Sequence, residues 1–335
     1  MLLSPADRTP ASQNEAGHGG AGDAWLAAPL AEAPVPFPRT AGGLTQVGLR
    51  ASNMTHGSVN HGSAFDVAQA QVGLRTGGCF VRPLPLDATC ASAARSFFRE
   101  AVAGADLPGD LIHDGVTMAS ELAANTLNAH GNIEFAGSGR RPVSGFPEFW
   151  LYLRTHGSGR ELVCKIFDSE PDWEVFEPAA EGALEKASPD SVRGRGLQLV
   201  AGLSAGRWGH HPTRGRLGAW KVPGKAVWFA LRVPPANDLA HTRWPLARGW
   251  QAIDALTAAL ADRGLGAGLV PATEPGGDLA VLSVSCQLTV WCHGEILWWK
   301  APDGGYDRFA VTDLVEAAER LVSAHEELLE ARKDD

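Results

Sequence analysis

Cysteine is scarce in this chain, and no motif is built on it. The five cysteines, Cys79, Cys90, Cys164, Cys286 and Cys292, form an odd set without a Cys-x-x-Cys pair. That argues against a disulfide framework or a cysteine-based zinc site and fits a reducing compartment. Long hydrophobic runs are missing as well. The nearest, residues 279–292, is broken by Ser283, Ser285, Gln287 and Thr289, so no membrane span is expected. Met1 to Pro10 lacks a basic stretch followed by an apolar one, which predicts no secretory signal and a cytoplasmic protein. Positive charge is outnumbered, with 29 Lys and Arg against 38 Asp and Glu and a net charge of −9. No direct contact with nucleic acid or a membrane surface is therefore expected, although a local site for a small anionic or nucleotide ligand can oppose the global sign.

What is present suits a globular protein of about two domains. Hydrophobic residues make up 44% of the 335 and charged residues 20%. Residues 1–78 show no hydrophobic period and read as a flexible Gly/Pro-rich tail, in which His18, His56 and His61 are scattered loop residues. From Cys79 the pattern orders itself. A strand is expected over 80–84, a helix opening near Asp87 with Ala94, Phe97, Phe98, Ala101 and Val102 inward, and a second helix from Asp110 to about Ala129. A hairpin follows, with strands over 149–154 and 161–167, then a long acidic loop, a helix over 197–203 and a last strand over 226–233. This order predicts a two-layer α/β sandwich over 79–234, with helices on one face of a mixed sheet. Residues 235–248 read as a linker. A small α+β domain occupies 249–332, with a helix over 250–263, strands over 279–284, 287–291 and 296–300, and a final helix capped by Thr312.

The second helix carries Glu121, Asn125 and Asn128 at i, i+4 and i+7, on one face. Downstream, the apolar strand 162–167 ends at Asp168. Gly194-Arg195-Gly196-Leu197 then opens a short helix, where glycines permit close backbone approach and free N–H groups can face an anion. In this ordered set the chain resembles the GHKL ATPase superfamily, in its anti-sigma-factor serine/threonine kinase branch. Glu121-Leu122-Ala123-Ala124-Asn125 matches the N box, Asp168 the G1 box and Gly194 to Val200 the G2 box, with Trp208-Gly209 and Gly224 to Trp228 also similar to that branch. The resemblance spans about residues 80–233.

The resemblance implies a GHKL-type fold binding ATP and Mg²⁺. Glu121 would be the general base, and Asn125 would hold the metal. Asn128, Gly194, Gly196 and Leu197 would lie along the nucleotide, Asp168 would accept from the adenine amine, and residues 169–193 would form a lid. The implied role is a bacterial regulator acting on a protein partner, such as a sigma factor or an anti-sigma-factor antagonist, by phosphorylation or by ATP-dependent sequestration. A homodimer is also open. Three features depart from the family pattern. Ser169-Glu170-Pro171 follows Asp168 where glycines are usual, Asn128 stands where a basic residue is frequent, and the lid is strongly acidic. A catalytically silent interaction module is the alternative they leave.

Other signals carry less. Residues 218–225 do not have P-loop spacing. His210 and His211 read as surface-loop residues and His325 as an exposed helix residue. Cys286 and Cys292 are expected as small buried hydrophobes, and Trp291, Trp298 and Trp299 as core residues rather than an interface.

Overall fold

The computed structural model describes residues 74, 77–135, 146–169, 195–241, 249–273 and 279–334. The expected tail over 1–78 and lid over 169–193 fall almost wholly outside these, as does part of the linker. The first unit contains β1 (Phe80–Pro83), α1 (Cys90–Val102), α2 (Gly109–Phe135), β2 (Glu148–His156), β3 (Gly159–Asp168), α3 (Arg195–Leu203), β4 (Trp208–Arg214) and β5 (Pro223–Val233). The second contains α4 (Trp250–Leu260), β6 (Val270–Thr273), β7 (Leu279–Ser285), β8 (Leu288–His293), β9 (Ile296–Lys300), β10 (Tyr306–Ala310) and α5 (Leu314–Asp334). No helix among the described residues is long and apolar enough to cross a membrane.

Two five-stranded sheets order as β1-β2-β3-β5-β4 and β10-β9-β8-β7-β6. Every ladder in both is antiparallel, so the protein is α+β, and the expected mixed sheet is corrected. Most neighbours, β2–β3, β4–β5 and the strands of the second sheet, are consecutive in the chain and joined by short connections, which antiparallel pairing allows, whereas β1–β2 and β3–β5 pair across longer connections that carry the helices. The strand alternation in β3 explains the first core. Leu162, Cys164 and Ile166, with Leu151, Leu153, Val227, Phe229 and Leu231, face α1, α2 and α3. Glu161, Val163, Lys165 and Phe167 face the other way and are buried too. Helices therefore cover both faces, not one, and the second cover is α5.

Helix α5 has two working faces. Ala317, Ala318, Leu321, Val322 and Ala324 join Ala252, Ile253, Leu256 and Leu260 of α4 over the inward side of the second sheet, which supplies Leu282, Val290, Leu297 and Trp299. Its other face presents Glu316, Glu319 and Glu326 at i, i+3 and i+10 to the first sheet. Glu316 accepts from Tyr152 Oη at 2.5 Å and Arg154 Nη1 at 3.2 Å, and is also bonded by Arg320 Nε at 3.0 Å. Glu319, fully buried, is addressed by Arg216, Arg263 and Lys165. Glu326 pairs with Arg214 at 2.6 Å. Just before α5, Asp313 accepts from the backbone N–H of Thr155 at 3.0 Å. The layer between the units thus sets ion pairs among buried apolar side chains of the first sheet, Trp150, Tyr152, Val163, Phe167 and Trp228, with Val315 of α5 packed against them.

Candidate functional site

Helix α2 buries Val116, Met118, Ala119, Leu122 and Ala123 in the first core. That leaves Glu121 and Asn125 half-buried beside them and Asn128 exposed. The polar stripe is therefore not simply a solvated side, because the start of α3 lies over its first two members. Helix α3 is anchored by Val200, buried, and by Leu197 and Leu203, which pack on the same core. Its Gly196 sits so close to α2 that a Cβ there would stand 2.7 Å from Glu121 Oε2 and 3.5 Å from Asn125 Nδ2. Only a glycine fits that approach without displacing a partner. The opening turn of a nine-residue helix carries N–H groups without intrahelical acceptors and a partial positive charge, so a carboxylate and an amide oxygen are suited to its company.

Asp168 ends β3 on the helix-facing side, continuing the parity of Cys164 and Ile166, and is 2% exposed. It stands directly across the ladder from Lys225, whose Nζ lies 4.0 Å from its Oδ2. The β5 strand begins tightly against it: a Cβ on Gly224 would fall 2.2 Å from the Asp168 carbonyl oxygen and 2.8 Å from the Ser169 Cα. Lys225 therefore belongs to the environment of Asp168. In the sequence it stands only within the Gly224 to Trp228 stretch, and the register between the last strand and the hairpin is the signal that locates it. Helix α2 packs on both α3 and β3, so Glu121, Asn125, Gly196 and Asp168 lie on elements sharing one side of the sheet. Gly194 and the side chain of His130 are outside the described residues.

No family model matches the chain, and no curated protein or solved structure does.

The residues present fit a magnesium nucleotide in chemistry. Asn125 offers a neutral oxygen, and Gly196, lacking a side chain, lets the Glu121 and Asn125 side chains approach the backbone at the start of α3. Among the described residues no cluster of three His, Cys, Asp or Glu could hold a metal by itself. A concavity of about 540 Å³ lined by Arg99, Val102, Asp106, Leu107 and Ile112 is a separate feature. Ile112 precedes Glu121 by about 14 Å along α2.

Three minor expectations are corrected. His210 and His211 lie on the edge strand β4, not in a loop, and His211 is buried. Its Nδ1 is 3.0 Å from the Pro212 carbonyl and its Nε2 is 2.9 Å from Lys165 Nζ. Since a carbonyl only accepts, Nδ1 carries the proton and Nε2 accepts from Lys165. Burial, then the Lys165 and Arg320 charges, hold the imidazole well below its ordinary pKa. Secondly, His325 is half-buried, and burial lowers its pKa. Lastly, Cys292 is buried as expected while Cys286 is exposed at the β7–β8 turn.

Proposed function

We propose that the first unit is a GHKL-type ATP-binding domain of the anti-sigma-factor kinase kind, and that the protein is a cytoplasmic regulator acting on a protein partner. The approach of Gly196 to Glu121 and Asn125 carries this reading. Two segments some seventy residues apart meet at the start of a helix, bringing a carboxylate, an amide and backbone donors together. Asn125 would hold magnesium, and Gly196 and Leu197 would present N–H groups to phosphate oxygens. Asp168 would take the adenine amine as a donor, which guanine, with a carbonyl there, cannot supply. Bound Mg-ATP would contribute a transferable phosphoryl group. Glu121 is the group suited to accept a proton from a partner hydroxyl. Phosphotransfer to a Ser or Thr and ATP-dependent retention of the partner both use this site.

Calorimetric titration with ATP and with GTP, each in magnesium, tests it. ATP binding with strong preference over GTP is expected, and equal affinities or no heat with either would remove the proposal. With a co-purified partner, Glu121→Ala should abolish transfer and spare ATP affinity, whereas Asn125→Ala should weaken magnesium-dependent binding.

A second reading, a silent interaction module, has one observation in its favour. The buried ammonium of Lys225 already faces the Asp168 carboxylate, so adenine would have to share it. Under that reading ATP gives no heat with the native chain.

A further inference from the structure

The second sheet has a face that the proposed site does not use. Its inward side is filled by α4 and α5. The register fixes what lies outward. Ala272 pairs with Val281, Val281 with Trp291, Trp291 with Trp298 and Trp298 with Arg308, in one row across all five strands. On one side lies the row Leu279, His293, Ile296, Ala310. On the other are the pairs Val270 with Ser283, Ser283 with Thr289, and Lys300 with Tyr306. Trp291 and Trp298, on the central strand and its neighbour, belong to neither core cluster. Ile296 is 44% exposed and Tyr306 55%, and Lys300 and Arg308 are exposed.

The charge on this face opposes that of its surroundings. Residues 249–335 contain fifteen carboxylates and only six Lys and Arg. Two of those six, Lys300 and Arg308, lie among these outward positions, and none of the fifteen carboxylates does. Asp307 pairs with Trp299 and so takes the inward side. Adjacent half-buried indoles on the central strand and its neighbour, a phenol and two exposed cations on the last two strands, and no acid among these positions form the combination that accepts a polyanion with stackable rings. Bases lie flat on the aromatic planes while the backbone runs past the cations.

We propose that the outer face of the second sheet binds single-stranded nucleic acid, with Trp291 and Trp298 as the stacking platform and Lys300 and Arg308 as phosphate contacts. The expectation of no nucleic-acid contact rested on the charge of the whole chain, and this face has the opposite sign. The proposal is independent of ATP binding by the first unit.

Fluorescence anisotropy of labelled 15-nucleotide oligodeoxythymidine and oligouridine with the full chain provides the test. Both should bind at 50 mM salt, and excess Mg-ATP should not displace them. The logarithm of affinity should fall against that of salt with a slope between about −1 and −2, as two phosphate contacts require. Trp291→Ala and Trp298→Ala should each weaken binding about tenfold or more, while Trp298→Phe keeps most of it. Arg308→Glu should weaken binding and flatten the salt slope, and Trp220→Ala, an exposed indole elsewhere, should change nothing. A preference for one oligomer identifies the favoured sugar and supports stacking either way. Absence of binding at 50 mM salt would overturn the proposal. So would equal competition by dextran sulfate with no effect of the Trp variants, or a concentration-dependent dimer abolished by Trp298→Ala in a chain that ignores both oligomers. Far-UV circular dichroism checks each fold, and Trp298→Phe and Arg308→Glu keep the test decisive if an alanine variant unfolds.

Discussion

Two glycines separate function from stability at the scale of single residues. At Gly196 an added methyl meets the end of a flexible side chain, Glu121, and the edge of Asn125. Gly196→Ala should therefore leave the melting temperature within a few degrees, and under the proposed function it should crowd Asn125 and the start of α3 and weaken magnesium-dependent ATP binding, as calorimetry would record. At Gly224 the methyl meets backbone atoms of Asp168 and Ser169, which cannot rotate away. Gly224→Ala should cost at least about 1–3 kcal/mol, measured by urea unfolding, because the β3–β5 ladder must open at its end. A third residue predicts a pH response. His211 is neutral in the fold, with its pKa well below the ordinary 6.5 because it is buried and faces Lys165. The unfolded chain binds that proton more readily, so stability should fall as pH drops below about 6.5. Melting curves between pH 7.5 and 5 should show the decline, and His211→Asn should flatten it.

Helix α5 dominates at the scale of elements. Glu319 is fully buried with Lys165, Arg216 and Arg263 directed at it. Removing its charge leaves three cations facing one another in a medium that solvates them poorly. Glu319→Gln should cost about 3–5 kcal/mol, read from denaturant midpoints. Replacing an ion-paired cluster wholesale with hydrocarbon is a different experiment, because the desolvation cost goes too. Burial would raise the pKa of Glu316, but Arg154, Arg320 and Lys165 hold it well below the carboxylate range. Its contribution is present above its unfolded pKa of about 4.5 and is lost as pH falls through the lower folded value. Acid should thus loosen the units in two stages, first through His211 and later through Glu316.

The elements were unequally legible in the sequence. Helix α2 was visible because apolar positions from Leu111 to Leu127 hold the helical period, and the hairpin because apolar strands flank His156-Gly157-Ser158-Gly159. Strand β4 was hidden: Gly209, His210, His211 and Pro212 look like loop chemistry, and only pairing with β5 makes them a strand. Strands β6 and β10 are short sheet edges in which Pro271, Asp307 and Arg308 obscure the alternation. At the candidate site, Glu121, Asn125 and Gly196 could be picked out by order along the chain, and the structure brings these three together. Lys225 could not, since its relation to Asp168 depends on a strand register that no local pattern states. The three tryptophans expected together in the core divide by parity. Trp299 is buried, while Trp291 and Trp298 alternate outward.

For the whole molecule, two large apolar cores are joined through a stratum in which ion pairs from α5 sit among the aromatic residues on the outer face of the first sheet. With Glu316 and Glu319 intact, calorimetric scanning at neutral pH should give one cooperative transition. Glu316→Gln combined with Glu319→Gln should split it in two as the units melt separately. That stratum also acts as an address. A greasy seam would accept almost any helix of suitable size, but this one demands acids at set intervals, each opposite a particular arginine, lysine or tyrosine. Grafting the second unit onto another five-stranded α+β scaffold should therefore fail unless the host sheet carries the same lettering, and a drifting sequence can change one half of the message only by changing the other.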